Sequence, residues 1–67
     1  MTDLKEYDVV VLAHSRNPLL RDGMVGTIVL VHDAVARVFE VEFLDERQAS
    51  LGTFAIAGAD LVLREAA

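Results

Sequence analysis

Apolar residues alternate with polar residues over short runs of this chain, and this two-residue period is typical of β-strands rather than helices. The clearest run spans residues 37–44, where Phe39, Val41 and Phe43 alternate with two glutamates. A strand of this kind has one apolar face and one face that is acidic in its middle. The run therefore predicts a strand that packs its phenylalanine-bearing side on a hydrophobic core.

Four further runs are rich in apolar or β-branched residues and too short for a stable helix. They predict strands at residues 8–13, 25–32, 49–57 and 62–65. Gly52 interrupts the third of these runs and indicates a bulge or a sharp bend. Before the last strand, residues 58–61 predict one short helical turn.

The connections between these strands differ in length. Residues 33–36 and 45–48 leave room only for turns, whereas residues 14–23 contain Ser, Asn, Pro, Asp and Gly and predict a long loop. Pro18 is suited to begin a short helical turn over Leu19 and Leu20 within that loop.

This order of elements predicts an all-β fold: a small five-stranded SH3-like barrel, with a long loop after the first strand and a short helical turn before the last. The sheet of such a barrel is strongly bent and nearly closes on itself. An OB-like barrel is the alternative, but it usually has a helix between its third and fourth strands, and residues 45–48 leave no room for one. We expect one domain over residues 1–67.

Composition restricts the class of protein further. A chain of 67 residues is near the lower limit for a core that is stable without help. It has no cysteine, which excludes disulfides and thiolate metal sites and is compatible with a reducing compartment. Residues 1–6 are polar, and no apolar run approaches the ~20 residues of a membrane helix. We therefore expect a soluble cytoplasmic protein without a signal peptide.

The charge balance disfavours one kind of partner, and the apolar content favours another. The chain has 11 acidic against 6 basic residues, so it repels a phosphate backbone at long range. At the same time 54% of its residues are hydrophobic, and a small domain cannot place all of them inside one core. A contiguous exposed apolar patch is typical of an interface. The composition therefore predicts self-association.

Four segments in order carry a resemblance to a known family: DVVVL at residues 8–12, DGMVGTIVLVHD at 22–33, VFEVEFLDE at 38–46 and ADLVL at 59–63. The most specific pieces are the glycine corner of residues 23–29 and the strand of residues 39–43. The series resembles a small bacterial family, domain of unknown function 4926. The resemblance implies a single SH3-like domain and no particular chemistry. One departure is the turn at residues 33–36, where a glycine is expected and none is present.

The glycine corner has a structural and a functional interpretation. More remotely, it resembles the KOW element of ribosomal and transcription-factor barrels, which contacts RNA. A phosphate-binding loop, however, precedes a helix and usually carries a lysine, whereas here Asp22 precedes the glycines and a strand follows them. We therefore expect Gly23 to supply a positive φ and Gly26 to permit a bend or close packing.

No group of side chains forms a motif for catalysis or metal binding. His14 and His32 are the only histidines, and Ser15 beside the first of them lacks an orienting third group. The neighbouring carboxylates Glu40 and Glu42 are typical of the solvated face of an edge or half-exposed strand. Dispersed arginines and few aromatic residues disfavour a nucleic-acid surface. We predict no catalytic residue, no cofactor, no metal and no small-molecule substrate.

The second strand is apolar on both faces, and this predicts where a partner binds. Regular alternation places Ile28 and Leu30 on one side and the neighbouring valines on the other. The candidate interface combines the outer valines with apolar residues of the long loop: Leu19, Leu20, Met24, Val29 and Val31. The alternative is that the long loop and the terminal segment cover this face within the same chain.

The function expected from these observations is a non-enzymatic interaction module. Its partner is expected to be a second copy of the chain, in a homo-oligomer, or another bacterial protein. No membrane or nucleic-acid partner is expected, and the alternative function is a KOW-like nucleic-acid-binding module.

Overall fold

The computed structural model describes residues 3–67, so Met1 and Thr2 of the predicted domain lie outside the described residues. Five strands and one short 3₁₀ helix follow one another along the chain. They are β1 (Val9–Leu12), β2 (Val25–Asp33), β3 (Val38–Leu44), β4 (Ser50–Ala57), the 3₁₀ helix (Gly58–Asp60) and β5 (Leu61–Glu65). The all-β class, the five strands and the helical turn before the last strand are confirmed.

The strands form one antiparallel sheet in the order β4–β3–β2–β1–β5. Strands β4 and β5 each pair on one side only, so the sheet formed by residues 3–67 is open. The prediction that the sheet nearly closes on itself is therefore not met by strand pairing. The 3₁₀ helix connects the two edge strands along the chain, but β4 and β5 do not pair with each other. The SH3-like resemblance of the whole stays a prediction.

The core lies against the inner face of this sheet and contains residues of β1, β2, β3 and β5, of the N-terminal segment and of the long loop. Its buried apolar members are Leu4, Val10, Leu12, Leu20, Ile28, Phe39, Val41, Phe43 and Leu61. The rings of Phe43 and Phe54 are 6.1 Å apart between centroids and tilted. Leu4 and Leu20 lie outside the strands, so the N-terminal segment and the long loop cover core that the open sheet leaves uncovered.

Strand β2 departs from regular alternation at Val29. Ile28 is opposite Val41, but the next paired residue, Leu30, is opposite Glu40, and Val31 is opposite Phe39. Val29 is thus an extra residue in β2, and a single extra residue exchanges the two sides of the strand beyond it. The prediction that Ile28 and Leu30 share a face is wrong, since Leu30 is exposed and Val31 packs against the core.

Aspartate side chains shape the two hairpin turns without glycine. Asp33 Oδ1 accepts the backbone N–H of Val35 and of Ala36 at 3.0 and 2.9 Å, and Arg37 completes that turn with φ 57°. In the next hairpin, Asp45 Oδ1 accepts the N–H groups of Arg47 and Ala49 at 2.8 and 2.9 Å. An aspartate that binds its own turn provides an alternative to a turn glycine. The missing glycine at residues 33–36 is explained in this way.

The long loop is ordered by its own hydrogen bonds. The helical turn predicted after Pro18 is a single turn, in which the Leu20 N–H donates to the Asn17 carbonyl at 3.0 Å. The Ser15 hydroxyl contacts the carbonyl oxygens of Asn17 and Leu20 at 2.8 and 2.9 Å. These contacts fold the loop back on itself and place Leu20 in the core.

Candidate interaction surface

Both glycines of the corner serve the fold. Gly23 has φ 89°, and its N–H donates to the Leu12 carbonyl at 2.7 Å. Gly26 is buried in β2, where a Cβ atom would lie 2.7 Å from Val41 Cγ1 and 2.8 Å from the Glu42 carbonyl oxygen. The first glycine therefore provides a backbone conformation that side chains disfavour, and the second provides space for β3. Gly26 is enclosed by β3 and offers no surface to a ligand.

The five residues of the predicted interface do not form one outer surface. Leu19 is 75% exposed, whereas Leu20 is 5% exposed and belongs to the core. Met24 and Val31 are partly buried against that core, and Val29 is the half-buried extra residue of β2. The assignment fails at Leu20 because the loop folds back, and at Val31 because the extra residue reverses the strand. The alternative expectation, that the long loop covers this part of the core within the same chain, is correct for Leu20.

A cleft lined by both apolar and charged residues is open between the long loop and the β3–β4 hairpin. Its volume is about 300 Å³. Leu19 and Met24 form the loop wall, and Leu44 and Leu51 form the hairpin wall. Leu44 and Leu51 are 40% and 43% exposed, so they contribute to the outside of the protein as well as to the cleft.

A row of valines extends this cleft across the outer face of the sheet. Val11 of β1 is opposite Val25 of β2 on one side and Val62 of β5 on the other. Val25 also lines a second hollow together with Met24 and Leu44, which belong to the cleft as well. The other lining residues of this hollow are polar or charged: Asp45, Gln48 and Arg64. We call the combined set the apolar surface; it consists of Val11, Leu19, Met24, Val25, Leu44, Leu51 and Val62.

Sequence reasoning found two members of the apolar surface, Leu19 and Met24, and missed the others. The outward position of Leu44 could have been predicted, because Leu44 follows Glu40 and Glu42 at two-residue intervals on the outer side of β3. The bulge predicted at Gly52 is confirmed, because Phe43 is opposite Gly52 and Leu44 is opposite Ser50. Leu51 is the extra residue of this bulge, and its position follows from the pairing of β4 with β3.

Charged residues of opposite sign lie on the two walls of the cleft. Arg21 is on the loop wall, and Asp45 and Glu46 are on the hairpin wall. Within residues 3–67 the ion pairs closer than 4.0 Å are Arg16–Asp60 and His32–Glu40. Arg21 and Glu46 therefore face one cleft without pairing across it.

The other candidate residues have partners of their own. Strand β3 lies inside the sheet, so Glu40 and Glu42 do not protect an edge; they are half-buried on its outer face. Glu40 contacts His32 Nε2 at 3.2 Å, and Glu42 accepts the Ser50 hydroxyl at 3.0 Å. Among the residues that the structure describes, no three potential metal ligands form a group.

The family follows from a comparison of the whole chain with known proteins. Residues 2–62 match the family model described as Domain of unknown function (DUF4926). The chain belongs to this family. The DUF4926 match includes both walls of the cleft and the valine row. No curated protein and no solved structure matches the chain.

The arginines of this DUF4926 chain are carried by separate parts of the fold. Arg16 binds Asp60, Arg37 packs beside Gly58, and Arg47 is exposed in the turn between β3 and β4. Arg21 and Arg64 line two adjoining hollows that share Asp45. The KOW-like alternative gains no support from this distribution, because a nucleic-acid surface groups its cations on one face. Across residues 3–67, no helix has the length and apolar character needed to cross a bilayer.

Two aspartates of the DUF4926 chain are buried, and neither was predicted to be buried from the sequence. Asp8 is 3% exposed, and its carboxylate accepts the backbone N–H of Lys5 and of Ala67, both at 2.9 Å. Asp60 accepts Arg16 Nε at 2.9 Å. Both carboxylates join segments that are distant in sequence, so their roles are structural.

We expect Asp8→Ala to lower the free energy of unfolding by about 1.5–3 kcal/mol, because two amides lose a charged acceptor. Urea unfolding followed by far-UV circular dichroism measures the change. Asp3→Ala removes an exposed carboxylate from the same segment and is the control. Equal stability of the two variants would show that Asp8 does not hold the chain terminus.

Proposed function

We propose that this DUF4926 chain is a non-enzymatic protein–protein interaction module that self-associates through its apolar surface. The observation that supports the proposal is the apolar surface itself, which draws side chains from all five strands and the long loop. A contiguous patch of this kind is typical of an interaction site, whereas single exposed apolar residues are ordinary.

The distribution of charge supports a second copy as the partner. Two chains of net charge −5 repel each other, so a self-contact has to use a region poor in acidic residues. The valine row itself contains no carboxylate, and the carboxylates of the cleft are on its hairpin wall; Glu40 and Glu42 lie farther along the outer face of β3. Arg21 on the opposite wall offsets part of that negative charge.

The apolar contribution is large enough for a measurable association. Complete burial of an exposed leucine side chain is worth about 1.5–3 kcal/mol. Leu19 is 75% exposed and can gain most of this, whereas Leu44 and Leu51, at 40% and 43%, can each gain less than half of it. Part of this gain is lost to the entropy cost of association. We therefore expect a modest affinity, which is observed at concentrations between about 1 µM and 1 mM.

The test is Leu44→Asp, which places a charge in the centre of the apolar surface. We expect the wild-type chain to form oligomers whose mass rises with concentration and Leu44→Asp to stay monomeric in sedimentation equilibrium. Val35→Asp is the matched control, since Val35 is 96% exposed in the β2–β3 turn and outside the apolar surface. That control is expected to associate like the wild type.

Far-UV circular dichroism of each variant shows whether the fold is retained. A wild-type chain that stays monomeric up to about 1 mM overturns the proposed self-association. Folded Leu44→Asp with wild-type association overturns the assignment of the contact to the apolar surface.

A further inference from the structure

We infer that two copies dock cleft to cleft about a two-fold axis, with Arg21 of each copy beside Glu46 of the other. This inference rests on the proposed self-association and names the partner and its orientation.

The two walls of the cleft differ in charge as well as in origin. Arg21 comes from the loop wall, and the acidic pair Asp45 and Glu46 comes from the hairpin wall. The other lining residues are uncharged, so the cleft combines apolar side chains with a positive wall and a negative wall; these residues are Leu19, Met24, Leu44 and Leu51. Interfaces between copies frequently combine an apolar centre with a charged rim of this kind.

The charge pattern selects one orientation of a second copy. A two-fold axis that runs along the cleft, between its walls, places the loop wall of each copy over the hairpin wall of the other. Opposite charges then meet on both sides of the contact. An axis that crosses the cleft from wall to wall places like walls over each other and brings like charges together. A two-fold contact also forms each charge pair twice.

Within the acidic pair, Glu46 is the residue available to a partner. Asp45 Oδ1 already accepts two backbone N–H groups of its own turn. Glu46 and Arg21 are exposed, and among residues 3–67 neither side chain has an ion pair or a hydrogen bond. A charge pair at the rim of an interface contributes little affinity. It fixes the orientation of the two copies, because the other orientation brings like charges together.

Leu19 supplies the apolar anchor of this arrangement. It is 75% exposed at the edge of the loop wall, although it also lines the cleft. In the two-fold arrangement Leu19 lies over the partner's hairpin wall, where Leu44 and Leu51 are exposed. Each copy therefore contributes one projecting leucine and one receiving wall, so that the contact is complete without a third chain.

The experiment uses Arg21→Glu and Glu46→Arg, first separately and then mixed. Each variant alone has like charges at both pairs of a two-fold dimer, and we expect its association to weaken about tenfold or more. An equimolar mixture restores opposite charges at both pairs. The mixture is therefore expected to form a heterodimer at concentrations where each variant alone is monomeric. Native mass spectrometry distinguishes it, because the two variants differ in mass.

Controls separate this pairing from the effect of net charge. Lys5→Glu and Glu6→Arg make the same charge changes at exposed positions of the N-terminal segment. These control variants are expected to associate like the wild type, and their mixture is expected to show no preference for the heterodimer.

The possible results distinguish the two proposals. If the wild type dimerises but Arg21→Glu and Glu46→Arg associate normally, or their mixture shows no excess heterodimer, the two-fold pairing is wrong and self-association stands. If the wild type and all variants stay monomeric, the proposed function fails and the pairing fails with it. A heterodimer that exceeds both homodimers supports the pairing.

Discussion

Gly26→Ala is expected to lower the free energy of unfolding by about 1–3 kcal/mol, since overpacking a closely packed core costs that amount. The added Cβ would lie 2.7 Å from Val41 Cγ1 and 2.8 Å from the Glu42 carbonyl oxygen. The second of these atoms is backbone, so β2 and β3 have to separate to accept the methyl group. Urea unfolding followed by far-UV circular dichroism measures the loss.

Gly23→Asn is the comparison variant, because Gly23 has space for a side chain but an unusual backbone conformation, whereas Gly26 lacks the space. No atom lies within 4 Å of a Cβ at Gly23, but its φ of 89° is one that asparagine tolerates better than most residues. We expect a smaller loss for Gly23→Asn than for Gly26→Ala. If Gly26→Ala unfolds at the wild-type urea concentration, β2 and β3 are not in close contact at this point.

Phe43→Ala is expected to have the largest effect, about 3–5 kcal/mol, which is the usual cost of deleting a buried aromatic ring. Phe43 is fully buried, and its ring packs beside that of Phe54. A chain of 67 residues has a small stability margin, so this variant is expected to be largely unfolded at 25 °C. Far-UV circular dichroism and thermal unfolding measure the outcome.

Val35→Ala is the matched control for Phe43→Ala, because it truncates an almost fully exposed side chain. Its free energy of unfolding is expected to stay within about 0.5 kcal/mol of the wild type. A cooperative unfolding transition of wild-type midpoint in Phe43→Ala would contradict the core described above.

The strands were predictable because their signal is local. In β3 each residue contacts the core or the outside according to its position in a two-residue period, and Phe39, Val41 and Phe43 are indeed buried. The breakers Pro18, Gly52 and Gly58 indicated where strands end or bend. Periodicity and turn residues were therefore sufficient for the number and order of the strands.

The faces of β2 were not predictable from periodicity, because a bulge is decided by pairing with another strand. The sequence around Val29 continues an apolar run without a glycine or proline. Nothing local therefore distinguishes an extra residue from a paired one. The error placed Val31 outside and Leu30 inside, the reverse of their observed positions.

The site was only partly predictable for a related reason. Leu19 and Met24 were recognised as surplus apolar residues, but the cleft also needs Leu44 and Leu51 from a hairpin about 25 residues away in sequence. Composition predicted that an apolar surface exists, and the tertiary structure determines which residues form it.

The way in which Leu4 and Leu20 complete the core has a consequence for dynamics. Both leucines belong to segments outside the strands, whereas the other buried apolar residues lie on β1, β2, β3 and β5. Neither leucine takes part in strand pairing, so we expect either segment to open while the strand pairs stay intact. Such partial opening requires less free energy than global unfolding. Amide protons of these two segments should therefore exchange with solvent well before those of the central strands.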